Sequence, residues 1–367
     1  MNKLLPLVGA LLAAGAASAQ TTVTLYGIAD GDFRVDHTAI GTLKSVGSGG
    51  EAASRWGLRG TEDLGNGLKA VFNFEQDFDL SDNSVPQGNI GPTTPTSPNS
   101  SSGSRLFGRR AIVGLNLATA GEIRFGREYT PLYQTWSTAD PFGAGTVSRA
   151  TNYAVGSVTR FDNAVTYESP SVVGLQVKAQ YRPGESTTNS VASGATKQGG
   201  NGGSASLTYA QGPVYAGVGY LSTKNALDNN TTRSETAAVM VDLKVVKLHA
   251  LYFHTKNATT TKQQSYSFGV TVPIQAFKVI GVVARVDNKY KDNNSALQFN
   301  DANYFGLGGN YALSKRTDLY LVGAKIVNQG GAAFVLGDNS NNGLYTAANV
   351  PAGFNPWSAQ FGVRHLF

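Results

Sequence analysis

The run from Leu175 to Arg182 limits what this chain can fold into more than any other feature. Leu175, Val177, Ala179 and Tyr181 alternate with Gln176, Lys178, Gln180 and Arg182, so a strand here has one apolar face and one polar face. The pattern returns, nearly as sharply, where Leu68, Ala70, Phe72 and Phe74 alternate with Lys69, Val71, Asn73 and Glu75. Sixteen such segments can be counted, with cores starting at Val23, Ser54, Leu68, Arg105, Glu122, Phe161, Leu175, Ala205, Val214, Thr236, Lys247, Ser265, Phe277, Ala302, Asp318 and Ser358. Their connections are short at residues 62–67, 119–121, 170–174, 211–213, 245–246, 273–276 and 313–317, and longer and polar between these, as at 79–104, 183–203 and 328–356. An even strand number with connections short at one end and long at the other describes an all-β transmembrane antiparallel barrel with short periplasmic turns and long external loops. A soluble sandwich also alternates. In a membrane barrel, however, the apolar faces meet lipid and the polar faces meet water, and closure leaves no unpaired edge in the hydrocarbon. Strands of about ten residues, tilted near 45°, are long enough to cross it.

The first residues support export. Lys3, the apolar run from Leu4 to Ala14, and Ala17, Ser18 and Ala19 read as a cleaved signal peptide over residues 1–19, leaving 20–367 as the barrel. No later segment approaches the roughly 20 apolar residues of a spanning helix. Cysteine is absent, so an exported chain of this kind cannot rely on disulfides. The formal charge of +6, +5 without Lys3, is spread along the chain with no basic run, which argues against a nucleic-acid partner.

Residues 130–159 interrupt the alternation with a long stretch that shows no sustained helical or strand period. Loops of that length are functional or disordered. This one carries Leu132, Tyr133, Trp136, Phe142, Val147, Tyr153 and Val155, too much apolar mass for a solvated linker. It is expected to fold back into the barrel interior, where its apolar residues can pack, the alternative being a lid on the outside.

Positive charge gathers on the early strands. Parity places Arg55 and Arg59 inside, Arg110 inside but Arg109 outside, and Arg124 inside; Arg127 joins them only if Gly126 marks a bulge. Lumen arginines between low-dielectric walls concentrate anions and repel cations. Glu75, Asp77 and Asp140 are candidates to stand opposite and set up a transverse field. The bland alternative is that these charges solvate a polar face and pair with one another.

Catalytic and metal readings fail on the same residues. His249 and His254 have opposite parity, and His37 and His365 are remote in sequence. Neither a Gly-x-Ser-x-Gly elbow nor a His-Glu-x-x-His run occurs. Gly306, Gly308 and Gly309 lack a following helix, so they read as a thinned strand rather than a dinucleotide loop. No cofactor and no metal is expected. In the last strand Phe361, Val363, His365 and Phe367 share one face, which reads as an outer-membrane insertion signal.

The stretches VTLYGIADGDF, SRWGLRGTEDLGNGLKAVFNFE, RLFGRRAIVGL, FGREYTPLY, ADPFG, FDNAVTYESP, YALSKRTDLY and GVRHLF resemble the general porins of Gram-negative outer membranes, in their beta-proteobacterial and neisserial branch. The resemblance runs from Val23 to Phe367. It implies a sixteen-stranded barrel, a homotrimer, and a third external loop folded into the lumen to form the constriction, at about 130–160. It also implies pore arginines at Arg55 (SRWG), Arg109 (GRRAIVG) and Arg127 (GREY), against parity for Arg109, with Arg160 a further candidate before FDNAV. The expected function is passive diffusion of small hydrophilic solutes and ions, preferring anions. The expected partners are outer-membrane lipid, lipopolysaccharide and the barrel-assembly machinery. The alternatives are a substrate-specific channel with an internal binding site and a surface adhesin acting through its loops.

Overall fold

The computed structural model describes residues 22–81, 106–154, 158–184, 200–225, 230–257, 261–291, 297–337 and 351–367. The leader over 1–19, Arg105 and Val155 lie outside the described residues. The strands are β1 (Thr22–Thr38), β2 (Gly41–Ser48), β3 (Arg55–Gly65), β4 (Leu68–Asp77), β5 (Arg110–Leu117), β6 (Gly121–Tyr129), β7 (Arg160–Glu168), β8 (Leu175–Arg182) and β9 (Gly202–Gln211). They continue as β10 (Val214–Lys224), β11 (Thr231–Asp242), β12 (Lys247–Lys256), β13 (Thr261–Ile274), β14 (Phe277–Lys291), β15 (Leu297–Phe299), β16 (Ala302–Ala312), β17 (Thr317–Asn328) and β18 (Trp357–Leu366).

All neighbours are antiparallel, and β1 closes the ring on β18 from Ile28 opposite Leu366 to His37 opposite Trp357. The first half of β1 pairs with β3 and the second half with β2, so β2 and β3 together occupy one position in the wall. β15 only lengthens the far end of β14. Eighteen segments therefore build sixteen wall strands, as the alternation predicts. The tight turns follow local chemistry: Asn66 and Gly67, between β3 and β4, both hold left-handed backbone (φ 53° and 79°), the geometry that suits a twisted two-residue hairpin.

Outward side chains are large and apolar, among them Leu25, Val113, Phe268, Leu307 and Leu321, all exposed. Phe361, Val363, His365 and Phe367 share this outer face. Phe367 exchanges two backbone hydrogen bonds with Gly27 (3.0 and 3.1 Å). No described helix is long and apolar enough to cross a membrane; the strands make the crossing.

Inside, the expectation of a polar face all round needs correction. It holds on β1, where Asp30, Asp32, Arg34 and Asp36 point inward, and on β3 to β9 apart from Val71, Ile112, Phe161 and Ala164. From β10 to β17 the inner face is also apolar, with Leu221, Phe253, Ile280, Val282, Val286, Tyr304, Val322 and Ile326 buried in one cluster. What buries them is the segment between β6 and β7.

That segment is not irregular throughout. It forms helix α1 (Pro131–Ala139) and a 3₁₀ turn (Ala150–Asn152). Thr130 caps α1, its hydroxyl accepting from the Tyr133 amide at 3.2 Å, and Pro131 occupies the first turn, where its missing N–H costs nothing. Leu132, Thr135, Trp136 and Ala139 lie on one buried face, a helical spacing present in the sequence but too short to stand out. The Leu132 amide donates to Ser204 and the Tyr215 hydroxyl to the Thr135 carbonyl (3.1 and 3.0 Å), fixing α1 to the inner wall. Farther along, the Val147 amide donates to Gln360, and the Val147 carbonyl accepts from Tyr304. Glycines make room for the contact. A Cβ at Gly219 would lie 3.0 Å from the Leu132 backbone, and one at Gly306 would lie 2.6 Å from Ser148 Oγ.

Candidate functional site

With α1 packed against β9 to β12 and the segment after it against β13 to β18, the open part of the lumen lies against β2 to β8. There, a cavity of about 240 Å³ is lined by Arg55, Arg109 and Arg160 of the wall, by Arg149 and Tyr133 of the inner loop, and by Asp77 and Glu51. Each arrives there for a local reason.

Arg109 and Arg110 both point inward. The Arg109 amide donates to the Glu75 carbonyl (3.1 Å), while Arg110 is the register partner of Glu75, so two consecutive residues face one. This is a bulge, which lets neighbours share a side of the sheet. Parity had set Arg109 outside, and the bulge overturns that. Arg109 Nε donates to Glu75 Oε1 at 2.6 Å, its Nη1 to Asp77 Oδ1 at 2.7 Å, and its Nη2 to the Tyr129 hydroxyl at 2.5 Å. Arg55 lies 3.9 Å from Glu75. Glu75 and Asp77 thus stand on the same wall as the arginines and bind them, rather than facing them across the lumen.

Asp140 departs from expectation in another way. Its carboxylate is buried inside the loop and accepts from the amides of Phe142, Ala144 and Ala150 (3.1, 2.9 and 2.9 Å). Burial pushes its carboxyl up to about 6, against the pull of those three amides. It holds the loop's shape and faces no arginine of the wall. The transverse field expected from Glu75, Asp77 and Asp140 is therefore not built from these groups.

Arg127 is not brought into the cluster. A register shift at Gly126 (φ 124°) does occur, but Arg127 pairs across to Ala111, on the face of exposed Val113. Its guanidinium binds the Gly108 carbonyl and Asp162. Deeper in the lumen, Arg59, Arg110, Arg124 and Lys178 line a second cavity of about 360 Å³ with Glu122, Glu128 and Glu168. Arg110 binds Glu128 at 2.6 Å, and Arg124 reaches all three carboxylates at 2.5 to 3.0 Å.

Sequence reasoning missed Arg149, Tyr129 and Glu51. Parity has no meaning in the loop or linker that carry Arg149 and Glu51, and Tyr129 follows a bulge. The one available signal was a charged residue, Arg149, set in the otherwise uncharged run from Pro141 to Thr159.

Glu51 lies in the linker between β2 and β3, 3.3 Å from Arg364, and accepts from Asn310 at 2.7 Å. Burial pushes its carboxyl up to about 7; Arg364 opposes this and Asp318 adds to it. Glu51 is among the cavity-lining residues and is neutral below that pH; as pH rises through it, the group gains a negative charge beside Arg364. The channel is therefore expected to prefer anions more at pH 6 than at pH 8. Reversal potentials recorded in a salt gradient at the two values check this, and Glu51→Gln should abolish the difference.

Among the described residues no group of His, Asp and Glu is arranged to hold a metal ion. His249 lies inside, bound to the Ala139 carbonyl and Thr271, while His254 pairs with Glu235.

Comparison with known proteins agrees with this architecture. The family described as Gram-negative porin matches residues 7–331. An outer membrane porin protein of Bordetella pertussis is 32% identical, covering 88% of this chain and 94% of its own. Outer membrane porin protein 32 of Delftia acidovorans is 31% identical over the full length of both. A solved structure described as an anion-selective porin from Comamonas acidovorans superposes with a TM-score of 0.78 at 27% identity, covering 95% of this chain and all of that one.

Proposed function

The chain belongs to the Gram-negative porin family, and from that premise we propose that the water path of this outer-membrane channel selects for anions at the cavity between β2 to β7 and the inner loop. The protein is a general diffusion porin, a passive route for small hydrophilic solutes. Family and fold point to a channel without enzymatic turnover.

The observation that carries the anion reading is the lining of that cavity, where Arg55, Arg109, Arg149 and Arg160 outnumber Asp77 and Glu51. Low-dielectric walls on either side focus that surplus, raising the local concentration of anions. The preference named for the Comamonas porin is of the same sign. We assign residues 130–160 as the constriction loop and residues 1–19 as a leader removed on export.

The exposed apolar exterior supports assembly as a homotrimer amid lipid and lipopolysaccharide, and the outward Phe361, Val363, His365 and Phe367 support insertion by the barrel-assembly machinery. Purified protein in a planar bilayer under a tenfold potassium chloride gradient tests the selectivity. The reversal potential should take the sign of chloride permeation; a value at zero or of potassium sign overturns the reading.

A further inference from the structure

We infer that Tyr129 is a positioning residue for selectivity, its hydroxyl holding Arg160 and Arg109 side by side on the channel wall. The inference rests on the anion-selective reading above and adds the residue on which that preference depends.

Tyr129 ends β6 and Arg160 begins β7, and the two are register partners at the stem of the inner loop. Just beyond them the Thr130 amide donates to the Thr159 carbonyl at 2.9 Å. Contacts place the pair at the lumen: Arg160 lines the cavity together with Tyr133, on whose ring Tyr129 stacks. The Tyr129 oxygen accepts from Arg109 Nη2 at 2.5 Å and from Arg160 Nη2 at 2.7 Å. Arg160 also lies over the Tyr129 ring, 4.2 Å from its centroid, with Arg110 at 5.5 Å and Arg109 at 6.0 Å.

Two guanidinium groups brought this close repel one another. A shared acceptor with partial negative charge, and the negative face of an aromatic ring, offset that repulsion without cancelling either charge. A carboxylate in the same place would neutralise one of them. Arg109 has Glu75 and Asp77 besides, so it keeps its place without the phenol. Arg160 both stacks on the Tyr129 ring and donates to its hydroxyl.

The ring is also tied to the loop. It stacks on Tyr133 of α1 at 5.3 Å and 14°, and Tyr133 meets Trp136 edge-on at 4.8 Å. Tyr129 thereby sets the arginines and the facing helix in one frame.

The test uses the full protein in planar bilayers, comparing wild type, Tyr129→Phe, Arg160→Gln and the double variant under one salt gradient. Tyr129→Phe keeps the ring and removes the shared acceptor, and should lower the chloride-to-potassium permeability ratio by about twofold or more. The double variant should match Arg160→Gln, because the tyrosine acts through the arginine. A ratio in Tyr129→Phe equal to wild type, or additive losses in the double variant, would overturn the assignment. Should Tyr129→Phe fail to assemble, Arg160→Lys serves in its place: it keeps the charge but loses the planar fork and stack. The ratio should then fall, and an unchanged ratio overturns the inference. A wild-type channel without anion preference would instead remove the reading on which this one stands.

Discussion

Replacing Arg55, Arg109 and Arg160 together by glutamine is expected to reverse the channel's preference, from anions to cations. In the intact wall these three cations stand beside two carboxylates, Glu75 and Asp77, and the cations prevail. Without them both carboxylates lose their ion-pair partners, Glu75 keeping the Tyr26 hydroxyl, and Arg149 is the remaining arginine of the cavity lining. A unit charge acting over about 5 Å at an effective dielectric near 20 is worth about 3 kcal/mol. Screening by physiological salt, with a Debye length of about 8 Å, reduces but does not remove it at this range. Loss of three charges should therefore move the permeability ratio by more than tenfold, and the measured reversal potential should change sign. Arg127→Gln supplies the contrast. Its guanidinium is held by Asp162 and the Gly108 carbonyl, away from the cluster, so the reversal potential should stay near the wild-type value.

Substituting Asp140 by alanine should loosen the inner loop and widen the channel. One buried carboxylate satisfies three amides, those of Phe142, Ala144 and Ala150, at the point where the loop turns away from α1. Leaving buried donors without a partner costs roughly 1–3 kcal/mol each, enough to open the turn locally while the wall strands stay paired. Single-channel conductance should rise and the open state become noisier, and hydrogen exchange at the three amides should quicken by a hundredfold or so, as a change of about 3 kcal/mol implies. Unchanged conductance and unchanged exchange would show that the apolar packing of Trp136, Val147 and Tyr153 holds the loop by itself.

The barrel was legible because a two-residue period repeated along the chain admits few arrangements, and the structure gives the sixteen wall positions that the pattern indicates. What escaped were departures from that period. Arg109 was misplaced by parity because a bulge adds one residue opposite Glu75, and nothing in GRRAIVG marks where the extra residue falls. Helix α1 escaped because nine residues give little more than two turns of signal. Its Thr-Pro start is a capping signature, but a single one.

The apolar inner wall was written more openly. Val279, Ile280, Val282, Val283, Ala284 and Val286 of β14 form a nearly continuous apolar run, the mark of a strand covered on both faces. Alternation alone fixes one oily face; it takes the run to show that the other face is dry as well. Which charged groups pair could not be read at all, since it depends on contacts between residues far apart in the chain, such as Arg124 with Glu168.

With its inner loop seated on β9 to β18, the cylinder is hollow on one side only. Solutes must cross off-centre, along a conduit whose bank is β2 to β8, and the far half of the ring serves as masonry behind the plug. Substitutions in the two halves should then sort by kind: those at Ile280, Val282 or Val322 alter how long the assembly survives heat, while those at Arg55, Tyr129 or Arg160 alter what passes through it.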